Sequence, residues 1–107
     1  MTNHKLAIIY TTVATEEEAR TLAKQAVQAK LAACVNVVAG ALSIYQWQGK
    51  IEEVKEWMLI FKTSPAKAAE LAEWVANQHP YSVPAIISTT PDCSAAFSDY
   101  IRNATAS

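Results

Sequence analysis

Glycine, cysteine and clustered positive charge are the scarce things in this chain, and each scarcity closes off a class of function. Glycine occurs only as Gly40 and Gly49, so neither a P-loop nor a GxGxxG turn can be written, and no GxSxG elbow is present. The two cysteines, Cys34 and Cys93, form no CxxC pair and no disulfide framework. With two histidines they make four scattered residues, against the four ligands at set spacing that a structural zinc site needs. Two reduced thiols fit a cytoplasmic protein. Nine Lys and Arg against ten Asp and Glu leave a net charge of −1, and the basic residues never cluster. A polybasic nucleic-acid arm is excluded, and no long-range pull on anionic lipid remains. Long apolar runs are missing as well. Leu6–Tyr10 and Trp57–Phe61 fall far short of the ~20 residues of a membrane helix, and no signal-peptide core follows Met1. No membrane partner is expected.

What remains is a chain of 107 residues, 51% apolar, in which alanine alone supplies 20 residues. That length suits one domain over 1–107, able to bury a core without staples.

Lys5–Thr12 is short and β-branched and reads as a strand. Thr15-Glu16-Glu17-Glu18 is a capping box, and Ala19, Leu22, Ala23, Ala26 and Val27 then recur at helical spacing. Lys24 and Lys30 are placed to close this helix against its dipole. Leu31–Trp47 reads as extended, with a bend or bulge at Gly40, and Gln48-Gly49 as a tight turn into Ile51–Thr63. Ser64-Pro65 opens a second helix carrying Ala68, Leu71, Ala72, Val75 and Ala76, which His79-Pro80 ends. Val83–Thr90 is the fourth strand and Asp92–Asn103 a short tail helix. The order βαββαβ with a tail helix predicts an α+β, ferredoxin-like sandwich: a four-stranded antiparallel sheet, a long central hairpin, and two helices on one face.

That leaves the other sheet face bare. Trp57, Leu59 and Phe61 alternate with Met58 and Ile60, so this strand is apolar on both sides. The hairpin Leu42–Val54 adds Leu42, Ile44, Tyr45, Trp47 and Ile51 beyond any helix cover. A second copy of the chain is the simplest cover, with Tyr45, Trp47, Ile51 and Trp57 as expected interface residues.

Chemistry is sparse. No catalytic residues are identified, and Glu52, Glu53 and Glu56 read as a solvated, charge-balanced strand beside Lys50 and Lys55. Cys34, inside Leu31–Val35, is expected to be buried and unreactive, and Cys93 to react first. Lys62, Thr63 and Lys67, where a strand end meets a helix start, are the residues expected for a small anionic ligand. An RNA-binding sheet would need basic residues among stacking aromatics, and Glu52, Glu53 and Glu56 stand there instead.

The runs Lys30–Asn36, Ser43–Ile51 with Glu56, Lys62-Thr63 and His79–Ile87 together resemble the divalent-cation tolerance (CutA) family, collinearly over nearly the whole chain. YQWQGKI and HPYSVP carry most of that likeness. The resemblance implies a ferredoxin-like fold related to the PII signalling proteins, a homotrimer with exchanged hairpins, and a part in tolerance of copper and other divalent cations. The ligands of a copper-associated bacterial member of that family, a cysteine ending the first strand and a His-His pair before Pro-Tyr, fall here on Tyr10, Gln78 and His79. His79 alone carries over as a ligand, so Cu²⁺ or another divalent cation is expected to bind weakly. The PII likeness also implies a second reading, a sensor that binds an anionic metabolite at subunit clefts.

Overall fold

A computed structural model describes residues 4–106. Seven elements follow in order: β1 (Ala7–Val13), α1 (Glu16–Gln28), β2 (Cys34–Trp47), β3 (Lys50–Thr63), α2 (Ala68–Gln78), β4 (Ile87–Thr89) and α3 (Ala95–Thr105). The strands form one sheet in the order β2-β3-β1-β4, every neighbour antiparallel. This is the ferredoxin-like sandwich that the element order predicts.

Local chemistry explains most boundaries. The Thr15 hydroxyl accepts from the Glu18 amide at 3.2 Å and donates to Glu18 Oε1 at 3.1 Å, capping α1. At the other end, Leu31 N–H bonds Ala26 O and Lys30 N–H bonds Val27 O, the paired closure of a Schellman motif. Lys30 takes the left-handed position of that motif, φ 60°, which glycine would fill without strain. It therefore lies outside the helix, whose last turn has no basic residue, and the expected dipole closure by Lys24 and Lys30 is not what ends α1. Gln48 and Gly49 both have positive φ, 51° and 79°, as a two-residue hairpin turn requires. Gly40, φ 79°, sits in the irregularity between Val38 and Ala41, where Ala39 and Gly40 together face Trp57.

Other boundaries move. The first strand starts at Ala7 rather than Lys5, and the second at Cys34, because Leu31 and Ala32 still bond back to Ala26 O in the helix closure, and only Ala33 N–H reaches across to Lys62 O. Pro65–Lys67 forms a 3₁₀ turn before α2, and the tail helix begins at Ala95, capped by the Ser94 hydroxyl on the Phe97 amide. The fourth strand shrinks from Val83–Thr90 to three residues. Pro84 has no amide to give a ladder, and Val83 stands exposed in the preceding bends.

The core lies between α1, α2 and one sheet face: Ile9, Val13, Leu59 and Phe61 meet Ala19, Leu22, Ala23, Ala26, Leu71 and Val75. Ala19, Ala23 and Ala26 are the small side chains that α1 buries against the sheet. Val27 and Ala76, counted in the helical stripes, remain exposed. Thr11 and Thr63 are fully buried on this face, and among the described residues their hydroxyls have no hydrogen-bond partner. Thr11→Val is therefore expected to raise stability by about 1 kcal/mol, because it removes an unpaired hydroxyl at nearly constant shape. Denaturant titration checks it, and a loss of stability would contradict it.

Candidate functional site

Two regions of this fold stand out: the projecting hairpin and a hydrogen-bonded cluster at its base. The hairpin makes the molecule long, with extents of 45 × 30 × 22 Å and a radius of gyration of 14.6 Å. A compact chain of this length would have about 13 Å. Register sorts its side chains into two faces. Leu42, Ile44 and Ile51 share one, and Tyr45, Trp47 and Val54 share the other. Both are exposed: Ile44 61% and Ile51 70% on the first, Trp47 51% on the second. The ribbon is apolar on two sides and covered on neither.

The sheet face away from α1 and α2 continues this surface. Val38, Met58 and Thr12 form one row across it, and Asn36, Ile60, Tyr10 and Ile87 the next. α3 covers only one end, where Lys62 points its ammonium at the Phe97 ring, 5.8 Å from the centroid. Trp57 behaves differently from the other expected interface residues. It lies on the helix side, packed against the chain's own core.

At the hairpin base the chain gathers polar groups from four elements. α2 stops before Pro80, and the extended backbone at His79 turns its ring inward, leaving the residue 8% exposed. Nε2 lies 2.9 Å from Thr12 O at the end of β1, and Tyr81 N–H donates to Nδ1 at 3.1 Å. A backbone carbonyl can only accept and a backbone amide can only donate, so the ring is the neutral tautomer with its proton on Nε2. Burial holds the His79 pKa below its ordinary value, partly offset by the Thr12 contact and by Glu18 and Glu56 nearby. The Tyr81 hydroxyl donates to Glu56 Oε2 at 2.6 Å, while its ring lies tilted against that of His79. Burial first, then the Glu56 carboxylate, push the Tyr81 phenol well above its usual value.

Glu56 corrects the sequence reading. It is only 8% exposed, whereas Glu52 and Glu53 are solvated as expected. Its partner comes from a loop 25 residues on, which strand alternation cannot foresee.

The three residues expected for an anion do not converge. Thr63 is buried toward the helices, Lys62 projects from the opposite sheet face to Phe97, and Lys67 donates to Lys30 O at 3.4 Å. The surface grooves lie elsewhere: one of about 410 Å³ is lined by Gln25, Gln28, Ala29, Trp74 and Gln78. Cys34 is half-buried rather than buried; burial raises its pKa and Lys62 lowers it in part. Cys93 is half-buried too.

A divalent cation needs several donor side chains brought to one point. Among the described residues no three His, Cys, Asp or Glu side chains cluster to hold one. Among the described residues, no helix is long and apolar enough to cross a membrane.

Comparison with known proteins adds the family context. The family model described as CutA1 divalent ion tolerance protein matches residues 7–104. The divalent-cation tolerance protein CutA of Thermus thermophilus is 48% identical over 80 residues, 75% of this chain and 78% of that protein. The CutA homolog of Xenopus laevis is 43% identical over 83 residues, and the match spans 78% of this chain but only 55% of the frog protein. Among solved structures, CutA from Synechococcus elongatus superposes with a TM-score of 0.92 at 38% identity, covering 99% of this chain and 95% of that one. CutA1 from Ehrlichia chaffeensis gives the same TM-score at 28% identity, over 98% and 99% of the two chains.

Proposed function

We propose, since this chain belongs to the CutA1 divalent ion tolerance family, that it works as a homotrimer in the cell's response to divalent metal ions such as copper. The observation that carries the assembly is the hairpin with two exposed apolar faces. A ribbon of that kind, alone in water, would be marginal and prone to edge pairing. Exchanged between three subunits, each hairpin lays one face on a neighbour's bare sheet and the other on its own ring, and the edges close. Tyr45, Trp47 and Ile51 are then interface residues. The role itself is non-enzymatic: the family description names tolerance rather than a reaction, and the buried cluster offers a neutral imidazole and a phenol in no reactive pairing. The cytoplasm suits two unpaired thiols. Any Cu²⁺ or other divalent cation is bound weakly, since the described residues offer no preformed cluster of donors.

Light scattering at micromolar concentration is expected to give close to three times the 11.7 kDa chain mass. A folded monomer would overturn the reading. For the cellular role, a strain deleted for this gene should lose growth at high copper and regain it with the wild-type chain. Equal growth of both strains would count against it.

A further inference from the structure

We infer that His79 is a neutral clasp that ties the end of β1 to the loop after α2, and that it is not a metal ligand in this chain. Both ring nitrogens are already committed. The Nδ1 lone pair accepts the Tyr81 amide at 3.1 Å, and the Nε2 proton is given to Thr12 O at 2.9 Å. A ring that donates one N–H to a carbonyl while its other nitrogen faces a metal is the common arrangement of a ligating histidine. Half of that arrangement is present here. The other half is occupied by a backbone amide, which cannot be rotated away without moving the 79–83 segment.

One oxygen of each carboxylate beside the ring is engaged too. Glu56 Oε2 takes the Tyr81 hydroxyl at 2.6 Å, and Glu18 Oε1 takes the Thr15 hydroxyl at 3.1 Å. A cation seated beside His79 would thus have to displace Tyr81 N–H from the ring, and one oxygen of each neighbouring carboxylate already takes a hydroxyl proton. The residue is also only 8% exposed, so the ion would lose its water before reaching the ring. Each of these costs is avoided when the imidazole stays as it is.

What the clasp does is mechanical. Thr12 O, the His79 ring, the Tyr81 backbone and hydroxyl, and Glu56 form one continuous line of hydrogen bonds. It joins the end of the central strand β1 to β3 where the hairpin leaves the sheet, so His79 helps to set the direction in which the hairpin projects. The clasp lies within one chain and does not depend on the assembly being a trimer.

The test uses the assembled protein with histidine nitrogens labelled and His4→Gln introduced to leave one signal set. In the absence of metal, nitrogen shifts are expected to report Nδ1 unprotonated and Nε2 protonated at neutral pH. Adding Zn²⁺ alone, equimolar with chains, should leave both His79 shifts in place. In parallel, Cu²⁺ titration calorimetry on wild type and His79→Gln should give the same affinity. Movement of a His79 nitrogen with equimolar Zn²⁺ would overturn the inference, as would Cu²⁺ affinity falling about 10-fold or more in the variant. Should His79→Gln fail to fold, the nitrogen shifts of the histidine-bearing protein still decide. An assembly of unexpected mass would damage the trimer reading while leaving these shifts interpretable.

Discussion

Trp47→Ala is expected to dissociate the assembly and lower the melting temperature in one step. Trp47 pairs with Lys50 beside the hairpin turn and is 51% exposed in the single chain, with no intrachain core within reach. Seated against a neighbour, its indole would contribute about 2–3 kcal/mol from buried area, and the loss recurs at each interface of the proposed ring. Because folded subunit and assembly are linked by mass action, the melting temperature of the variant should fall and become strongly concentration-dependent. Ile44→Lys tests the other face of the same ribbon. Ile44 pairs with Glu53, is 61% exposed, and shares its face with Leu42 and Ile51. If both faces are covered by protein, both variants shift mass and stability. If only one does, the hairpin lies on a neighbour instead of being clasped between subunits. Sedimentation at several concentrations, with melting curves at each, separates these outcomes. Unchanged mass in both variants would remove the hairpin from the interface altogether.

The elements whose cause is local could be read from the chain. Thr15 and Glu18 are three residues apart and cap a helix by themselves, and Gln48-Gly49 makes its turn with no help from elsewhere. The alternation of Leu59 and Phe61 with Met58 and Ile60 showed a strand apolar on both sides, but only the structure shows that Leu59 and Phe61 are the pair that meets the helices. Failures arose where a distant group decides. Trp57 looked like one more uncovered aromatic until α1 packed beside it, and Val83 looked like strand until Pro84 withheld an amide. Glu56 sits two positions from Val54 in a charged run and reads as solvated. Tyr81 arrives from beyond α2 and changes that reading. His79 was picked out by its place in the HPYSVP run that resembles the CutA family. Its actual partners are a carbonyl and an amide, groups that every residue carries and that no sequence pattern can point to.

Tyr81→Phe is expected to cost about 1–3 kcal/mol at neutral pH and to reshape the alkaline side of the stability curve. The substitution keeps the ring against His79 and removes only the hydroxyl that Glu56 accepts at 2.6 Å, leaving a buried carboxylate short of a donor. For a chain of this length that loss corresponds to roughly 4–8 °C per kcal/mol. The pH dependence follows from the direction of each shift. Tyr81 in the folded state holds its proton more tightly than the ordinary phenol value of 10.0, chiefly through burial and then through Glu56. Its contribution is therefore complete below pH 10 and drains away as pH climbs toward the folded value. The difference between wild type and Tyr81→Phe should be constant near neutrality and narrow above pH 10. His79 works at the opposite end. Its pKa is held below 6.5 mainly by burial, so its contribution is present above pH 6.5 and is lost as pH falls through the folded value. Protonation there would also put a second N–H against the Tyr81 amide and break the line of bonds at its centre. Denaturant midpoints of both proteins from pH 5 to 11 measure the two flanks. A wild-type-minus-variant difference that stays flat through pH 11, or a variant at least as stable as wild type, would show that the Tyr81–Glu56 bond does not hold the hairpin base.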